Sequence, residues 1–118
     1  MNHMKMLLKG EEITEFLITI FVFNQLTLPW WMFLLFILAP DLGMLGYLFS
    51  NRIGAFCYNL LHFKALGILL ALVGWYSSNE YAAFAGLIIF GHAALDRVFG
   101  YGLKYTTGFK YTHLGELN

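Results

Sequence analysis

The sequence predicts an all-α membrane protein, a four-helix transmembrane bundle formed by one domain over residues 1–118. The first observation is composition: 59% of residues are hydrophobic and 12% charged, with a mean hydropathy of +0.66. Soluble domains are about 45–50% apolar and about 25% charged. The second is segmentation into four apolar runs with very short linkers. A soluble bundle would place a polar face on every helix, yet residues 66–76 and 81–90 contain no charge.

We predict membrane spans at about residues 12–26, 28–49, 53–75 and 80–99. The first is the weakest, because polar side chains dilute it, and it must tilt or recruit flanking residues to reach the roughly 20 residues that a span needs. The second opens with Pro29, which suits a first helical turn. The polar turn before the fourth contains Ser77-x-x-Glu80, a pattern compatible with a helix capping box.

The positive charges predict the orientation. With the N-terminus in the cytoplasm, six of the seven Lys and Arg residues lie on the cytoplasmic side, as the positive-inside rule requires. They are Lys5, Lys9, Arg52, Arg97, Lys104 and Lys110. We therefore expect a multi-pass protein of the cytoplasmic (inner) membrane with both termini in the cytoplasm. The glycine- and aromatic-rich tail beyond Phe99 is expected to fold back on that side as a short, partly ordered segment.

Composition also limits which classes of binding partner are expected. The net charge is zero and no long basic run occurs, so nucleic acid is not an expected partner. Small residues in the last two spans predict close helix packing. The expected partners are the lipid bilayer, a lipid or amphiphilic small molecule, and a second copy of the chain in a homo-oligomer.

The polar residues inside the predicted spans share one depth. At 1.5 Å per residue, Asp41 lies roughly 13 Å from the cytoplasmic boundary, His62 about 14 Å and His92 about 10 Å. Pro40 kinks the second span just before Asp41. Broken backbone at membrane depth is tolerated where it is buried or lines a cavity. Polar groups in spans usually face the bundle interior and often mark function.

A carboxylate and two imidazoles at one depth suit zinc or another divalent metal. We predict Asp41, His62 and His92 as ligands with an open position for water. Asp96, four residues after His92, or one of the N-terminal glutamates is the candidate catalytic base, although Asp96 or His113 could instead be a ligand. Arg97 and Lys104 are the candidate catalytic anion contacts. Metal-bound hydroxide could then attack an ester, amide or phosphoester at the membrane surface.

Two alternatives remain open. The same residues could form a metal-free hydrogen-bonded network in a non-enzymatic binding or accessory protein. They could also be purely structural, with Asp96 pairing with Arg97 or Lys104, and Lys64 reaching the interface or pairing with a glutamate.

Three motifs carry a family resemblance: PDLGMLGY at residues 40–47, GAFCYNLLH at 54–62, and GHAALDRVFGYGLKYTTGFKYTHLG at 91–115. Over residues 7–115 the chain resembles a family of small bacterial integral membrane proteins known only as a domain of unknown function. A more distant similarity is to membrane-bound metal-dependent hydrolases. The family resemblance implies the helical membrane architecture and singles out its motif positions, which here are Asp41, Tyr47, Asn59, His62, His92, Asp96, Arg97, Tyr101, Lys104 and His113.

Overall fold

A computed structural model confirms the helical class; it describes residues 3–101, 111–112 and 114–116. The elements in chain order are α1 (His3–Phe23), α2 (Trp30–Phe36), a 3-10 helix (Ala39–Leu48), α3 (Asn51–Leu61), α4 (Lys64–Tyr76), α5 (Glu80–Val98), β1 (Tyr111–Thr112) and β2 (Gly115–Glu116). The two short strands pair antiparallel. Most of the predicted folded-back tail, including Lys104 and His113, lies outside the described residues.

Helix α5 is the centre of the fold. It packs along α1 and α4 and touches the 3-10 helix, while α3 packs against the 3-10 helix as a hairpin. Buried aromatic and aliphatic side chains from α1, α2 and α5 form one core cluster. Its members are Phe23, Phe33, Phe84, Leu87 and Ile88.

Small residues allow the closest of these approaches, as the sequence predicted. A Cβ added to Gly67 of α4 would lie 2.8 Å from the carbonyl oxygen of Gly86 in α5. In the 3-10 helix, a Cβ on Gly43 would lie 2.8 Å from the Cys57 carbonyl oxygen, and one on Gly46 would lie 2.9 Å from that of Ile53. Three residues make one 3-10 turn, so these two glycines share the face that meets α3.

The predicted spans differ from the observed helices in three places. The first helix begins at His3 rather than near residue 12 and ends at Phe23. The second predicted span divides into α2 and the 3-10 helix, because Pro40 cannot donate the amide hydrogen bond that would continue α2. The third divides at residues 62–63 into α3 and α4, which are bent by 45°.

Two described stretches are long and apolar enough to cross a membrane, Trp30–Leu48 and Glu80–Val98. The bent pair α3 and α4 becomes a third if it counts as one broken span. Helix α1 carries five charged residues between Lys5 and Glu15 and is not among these candidates. The described residues thus support a membrane protein with two to three spanning stretches.

The turn between α4 and α5 differs from the predicted capping box. Asn79 is the N-cap of α5, and its side chain accepts hydrogen bonds from the amides of Tyr81 and Ala82. The Glu80 side chain therefore takes no part in a capping box and instead contacts the segment that connects α1 and α2. Its carboxylate accepts hydrogen bonds from the Thr27 amide at 3.1 Å and from the Thr27 hydroxyl at 2.7 Å.

Candidate metal centre

Four side chains with metal-ligand chemistry converge where the 3-10 helix, α3 and α5 meet. One donor atom from each of Asp41, His62, His92 and Asp96 lies within 4.8 Å of the other three. Asp41 Oδ1 is 3.2 Å from His62 Nε2 and 2.9 Å from His92 Nε2. Asp96 Oδ2 is 3.2 Å and 3.3 Å from the same two nitrogens. Carboxylate oxygens and imidazole nitrogens thus alternate around a small ring.

Pro40 explains how His92 is oriented. The Asp41 amide bonds to the Leu38 carbonyl, in the 3-10 register. One step back in that register, residue 40 would donate to Ile37, but proline has no amide hydrogen. The Ile37 carbonyl is instead 2.6 Å from Nδ1 of His92. A carbonyl only accepts, so Nδ1 carries the proton and Nε2 points to the ring of donor atoms.

His62 is held in the same way at the end of α3. It is the residue that closes the helix, and its Nδ1 lies 2.8 Å from the Tyr58 carbonyl oxygen one turn earlier. Its ring stacks on the Tyr58 ring with centroids 3.8 Å apart. The Tyr58 hydroxyl donates to Asp96 Oδ2 at 3.2 Å, so one residue orients both an imidazole and a carboxylate.

The electrostatic conflict between the acceptors of this cluster is removed either by a bound cation or by additional protons. With their protons on Nδ1, both imidazoles present the lone pair of Nε2 to carboxylate oxygens, and two acceptors face each other across each short distance. A divalent ion between them removes this conflict. A tetrahedral ion with bonds of about 2.0–2.1 Å separates neighbouring ligand atoms by roughly 3.3 Å, which is close to the four oxygen–nitrogen distances given above. The oxygen–oxygen and nitrogen–nitrogen distances are at most 4.8 Å. A second proton on each imidazole would also remove the conflict, and it leads to the metal-free alternative.

Burial distinguishes the four ligand candidates. The side chains of His92 and His62 are 1% and 4% exposed, and that of Asp96 is 17% exposed. The Asp41 side chain is 36% exposed. The centre is therefore enclosed on the α3 and α5 sides and open beside Asp41, where a water or a substrate oxygen could enter.

The structure thus brings together all three predicted metal ligands, Asp41, His62 and His92, and adds Asp96 at ligand distance. Arg97 lies elsewhere, half-buried beside a cavity of about 350 Å³ between the start of α1 and the end of α5. Lys5, Lys9 and Glu12 also line that cavity. Arg97 therefore does not join the four-residue cluster. Lys104 falls outside the described residues.

Lys64 forms a separate ion cluster that joins α4 to α1. Its Nζ contacts Glu12, and it lies 2.6 Å from Glu15 Oε1. The Lys64 side chain is 16% exposed, so these charges are largely removed from solvent. Of the open alternatives for Lys64, the structure shows pairing with glutamates. This occupies Glu12 and Glu15 away from the four-residue cluster.

Two orienting groups were not assigned from the sequence. Tyr58 had a signal, since it lies four residues before His62 and so shares its helix face. The Ile37 carbonyl also had a sequence signal, which is Pro40. In a 3-10 helix, a proline three residues after a carbonyl has no amide hydrogen to donate to it, so the carbonyl is left as a free acceptor.

Comparison with known proteins places the chain in a family without assigning an activity. No curated protein and no solved structure matches the chain. The resemblance to a family known only as a domain of unknown function is confirmed, since one family model matches residues 5–117. The chain belongs to the family described as "Domain of unknown function (DUF4260)".

Proposed function

We propose that this protein is a four-span membrane metalloprotein that binds a divalent cation such as zinc between Asp41, His62, His92 and Asp96. In this proposal α1 crosses the membrane with α2 plus the 3-10 helix, α3 plus α4, and α5. Both termini lie in the cytoplasm, and the metal centre opens to that side. The distribution of Lys and Arg along the chain supports this orientation.

One observation carries the metal assignment. Both histidines donate Nδ1–H to backbone carbonyls and aim Nε2 at carboxylate oxygens. This is the arrangement by which proteins fix the tautomer of metal-ligating histidines. A hydrogen-bonded pair without metal would more simply place the proton on Nε2, facing the carboxylate. The backbone instead holds it on the opposite nitrogen of both rings.

The chemistry that fits this donor set is hydrolysis. A bound zinc ion activates a water molecule or polarises a carbonyl or phosphoryl oxygen. The exposed Asp41 side provides the entrance, while the buried histidines fix the ion. Asp96 would ligate the ion through Oδ2, which also accepts from the Tyr58 hydroxyl, and its second carboxylate oxygen would accept the proton of a water at the centre. We therefore propose a metal-dependent membrane hydrolase, with Asp96 combining ligand and base chemistry.

Metal content tests the proposal directly. Protein purified in detergent without chelators is analysed by plasma mass spectrometry, and a stoichiometric divalent metal is expected. His92→Ala should lose the metal, because only one imidazole and two carboxylates then remain at the site. His3→Ala is the matched control, since His3 is exposed at the start of α1, and it should retain the metal. Wild-type protein that is correctly folded but lacks stoichiometric metal contradicts the proposal.

Turnover tests the hydrolase assignment separately. A chromogenic nitrophenyl ester of a fatty acid is supplied in mixed micelles with the metal-loaded protein. Hydrolysis should stop on chelation, return with zinc, and be absent from His92→Ala. Metal binding without chelator-sensitive hydrolysis of ester or phosphoester probes would leave a metalloprotein that is not a hydrolase.

The second candidate is a metal-free binding or accessory protein built on the same residues. The distances of 2.9–3.3 Å between Nε2 and carboxylate oxygens favour it, since they equal those of hydrogen bonds to doubly protonated imidazoles. It predicts no bound metal. It also predicts that Asp41→Asn lowers the stability of the fold by the same amount with and without zinc. A metal site predicts instead that zinc stabilises the wild-type protein and does not stabilise Asp41→Asn.

A further inference from the structure

We infer that an apolar groove leading to the four-residue cluster binds the acyl chain of an amphiphile whose polar, oxygen-bearing group then lies at the cluster. This inference rests on the proposed function, because it names the substrate class of that same centre. The groove has a volume of about 370 Å³, within the range of small-molecule sites.

The groove lies between α5 and the connected pair of α2 and the 3-10 helix. Tyr81, Ala85 and Ile88 of α5 form its floor, and Phe36 and Pro40 contribute to the opposite wall. Its described lining contains no charged side chain. Ala85 is exposed, so the groove is open along its side to the surroundings of the protein.

The floor of the groove lies on the same face of α5 as two residues of the four-residue cluster. Tyr81, Ala85, Ile88, His92 and Asp96 follow one another at intervals of three or four residues, so they lie on one face of the helix. The distance along the helix from Tyr81 to His92 is roughly 16 Å. This face of α5 therefore leads from the apolar floor, which ends at Ile88 and Ile89, towards His92 one turn further along the helix.

The opposite wall joins the centre at the same end. Pro40 lines the groove and is followed by Asp41, and Leu61 lines it and is followed by His62. Asp41 and His62 thus each directly follow a residue that lines the groove. A molecule that matches this sequence of environments has a long hydrocarbon part and a polar head, as a single-chain lipid does.

Native mass spectrometry tests the inference with lysophosphatidylcholine as the probe. Zinc-loaded wild-type protein in detergent should retain one lysophosphatidylcholine per chain. Ala85→Phe fills the groove with a ring and should reduce the retained fraction about tenfold, because roughly two methylene groups of the chain lose their contacts. Ala85→Leu should give a smaller reduction. Val73→Phe, on the exposed surface of α4 outside the groove, is the matched control and should bind as wild type does.

Zinc content is measured for each variant in the same experiment. Equal retention of the probe by wild type and Ala85→Phe, both with intact circular dichroism, overturns the groove assignment even if zinc is bound. Absence of a probe adduct from zinc-loaded wild type overturns it as well. If no variant binds zinc but retention still depends on Ala85, the groove assignment stands and the metal proposal fails.

Discussion

Replacing Pro40 with alanine is expected to weaken metal binding although no ligand residue changes. The reason is the Ile37 carbonyl, which accepts from His92 Nδ1 at 2.6 Å. Alanine restores an amide hydrogen at residue 40. Because the Asp41 amide bonds Leu38 in the 3-10 register, the new amide is directed to Ile37 and competes with His92 for the same acceptor.

The size of the effect follows from the burial of His92. Loss of the partner that orients a metal-ligating histidine typically costs about tenfold to hundredfold in metal affinity. The His92 side chain is 1% exposed, so water cannot readily replace the carbonyl as its partner. We therefore expect Pro40→Ala to lie near the upper end of this range, at about 2–3 kcal/mol of binding free energy.

The assay is competition for zinc between the detergent-solubilised protein and a chromophoric chelator. Pro29→Ala is the matched control, because Pro29 is an exposed N-cap residue of α2 and contributes to no described contact of the cluster. His92→Ala sets the value for complete loss. If Pro40→Ala binds zinc as tightly as wild type and Pro29→Ala do, the competition between the restored amide and His92 does not exist, and the assigned tautomer of His92 loses its structural basis.

Three further predictions concern packing and charge. Gly67→Ala should lower the free energy of unfolding by about 1–3 kcal/mol in detergent, because the added Cβ meets backbone atoms of α5, whereas Gly10→Ala, with no neighbour within 4 Å, should not. Lys64→Met should cost about 3 kcal/mol by leaving its glutamate partners buried without a cation, and replacing both partners by glutamine should recover most of that loss in the same unfolding assay. Arg97→Gln should weaken the binding of dodecyl phosphate about fivefold in equilibrium dialysis, because it removes a cation from the cavity beside α1. Arg52→Gln is the control and should not weaken binding. Equal binding by the two variants would rule out an anion site in that cavity.

Depth along helices was the sequence feature that predicted the cluster. Asp41, His62 and His92 are far apart in the chain, and no local pattern joins them. Short linkers force antiparallel neighbours, so the distance of each residue from its turn fixes its height in the bundle. That reasoning needs no knowledge of side-chain rotation, which is why it succeeded for three residues on three elements.

The same reasoning could not give Arg97 its surroundings. Arg97 follows Asp96 directly, and neighbouring residues on a helix point about 100° apart. Their positions along the helix axis place Asp96 and Arg97 at nearly the same level. Their different directions around the axis place Asp96 beside the histidines and Arg97 towards α1. Which face of α5 meets which neighbour depends on tertiary packing, and small residues occur on more than one face of this helix.

The break after α3 also escaped prediction, because residues 53–75 contain no proline and read as one continuous apolar run. The cause lies in long-range contacts. Lys64 begins α4 and is drawn to glutamates on α1, while His62 ends α3 and is directed to Asp41 and Asp96. Two polar residues separated by a single position must reach partners on different elements. A straight helix would place them roughly 200° apart with little freedom to adjust, and the bend resolves this.

The two breaks in the predicted spans together account for the geometry of the four-residue cluster. A continuous helix uses its carbonyls internally and has none to orient a side chain from elsewhere. At the first break, Pro40 releases the Ile37 carbonyl for His92, and Asp41 follows at once. At the second, α3 ends at His62, whose Nδ1 takes the Tyr58 carbonyl in the last turn. Each break therefore places one residue of the four-residue cluster, and the first break also releases the carbonyl that orients the His92 ring. At the second break the Tyr58 carbonyl accepts from the His62 amide as well as from its ring, so the end of α3 positions the imidazole without freeing an acceptor.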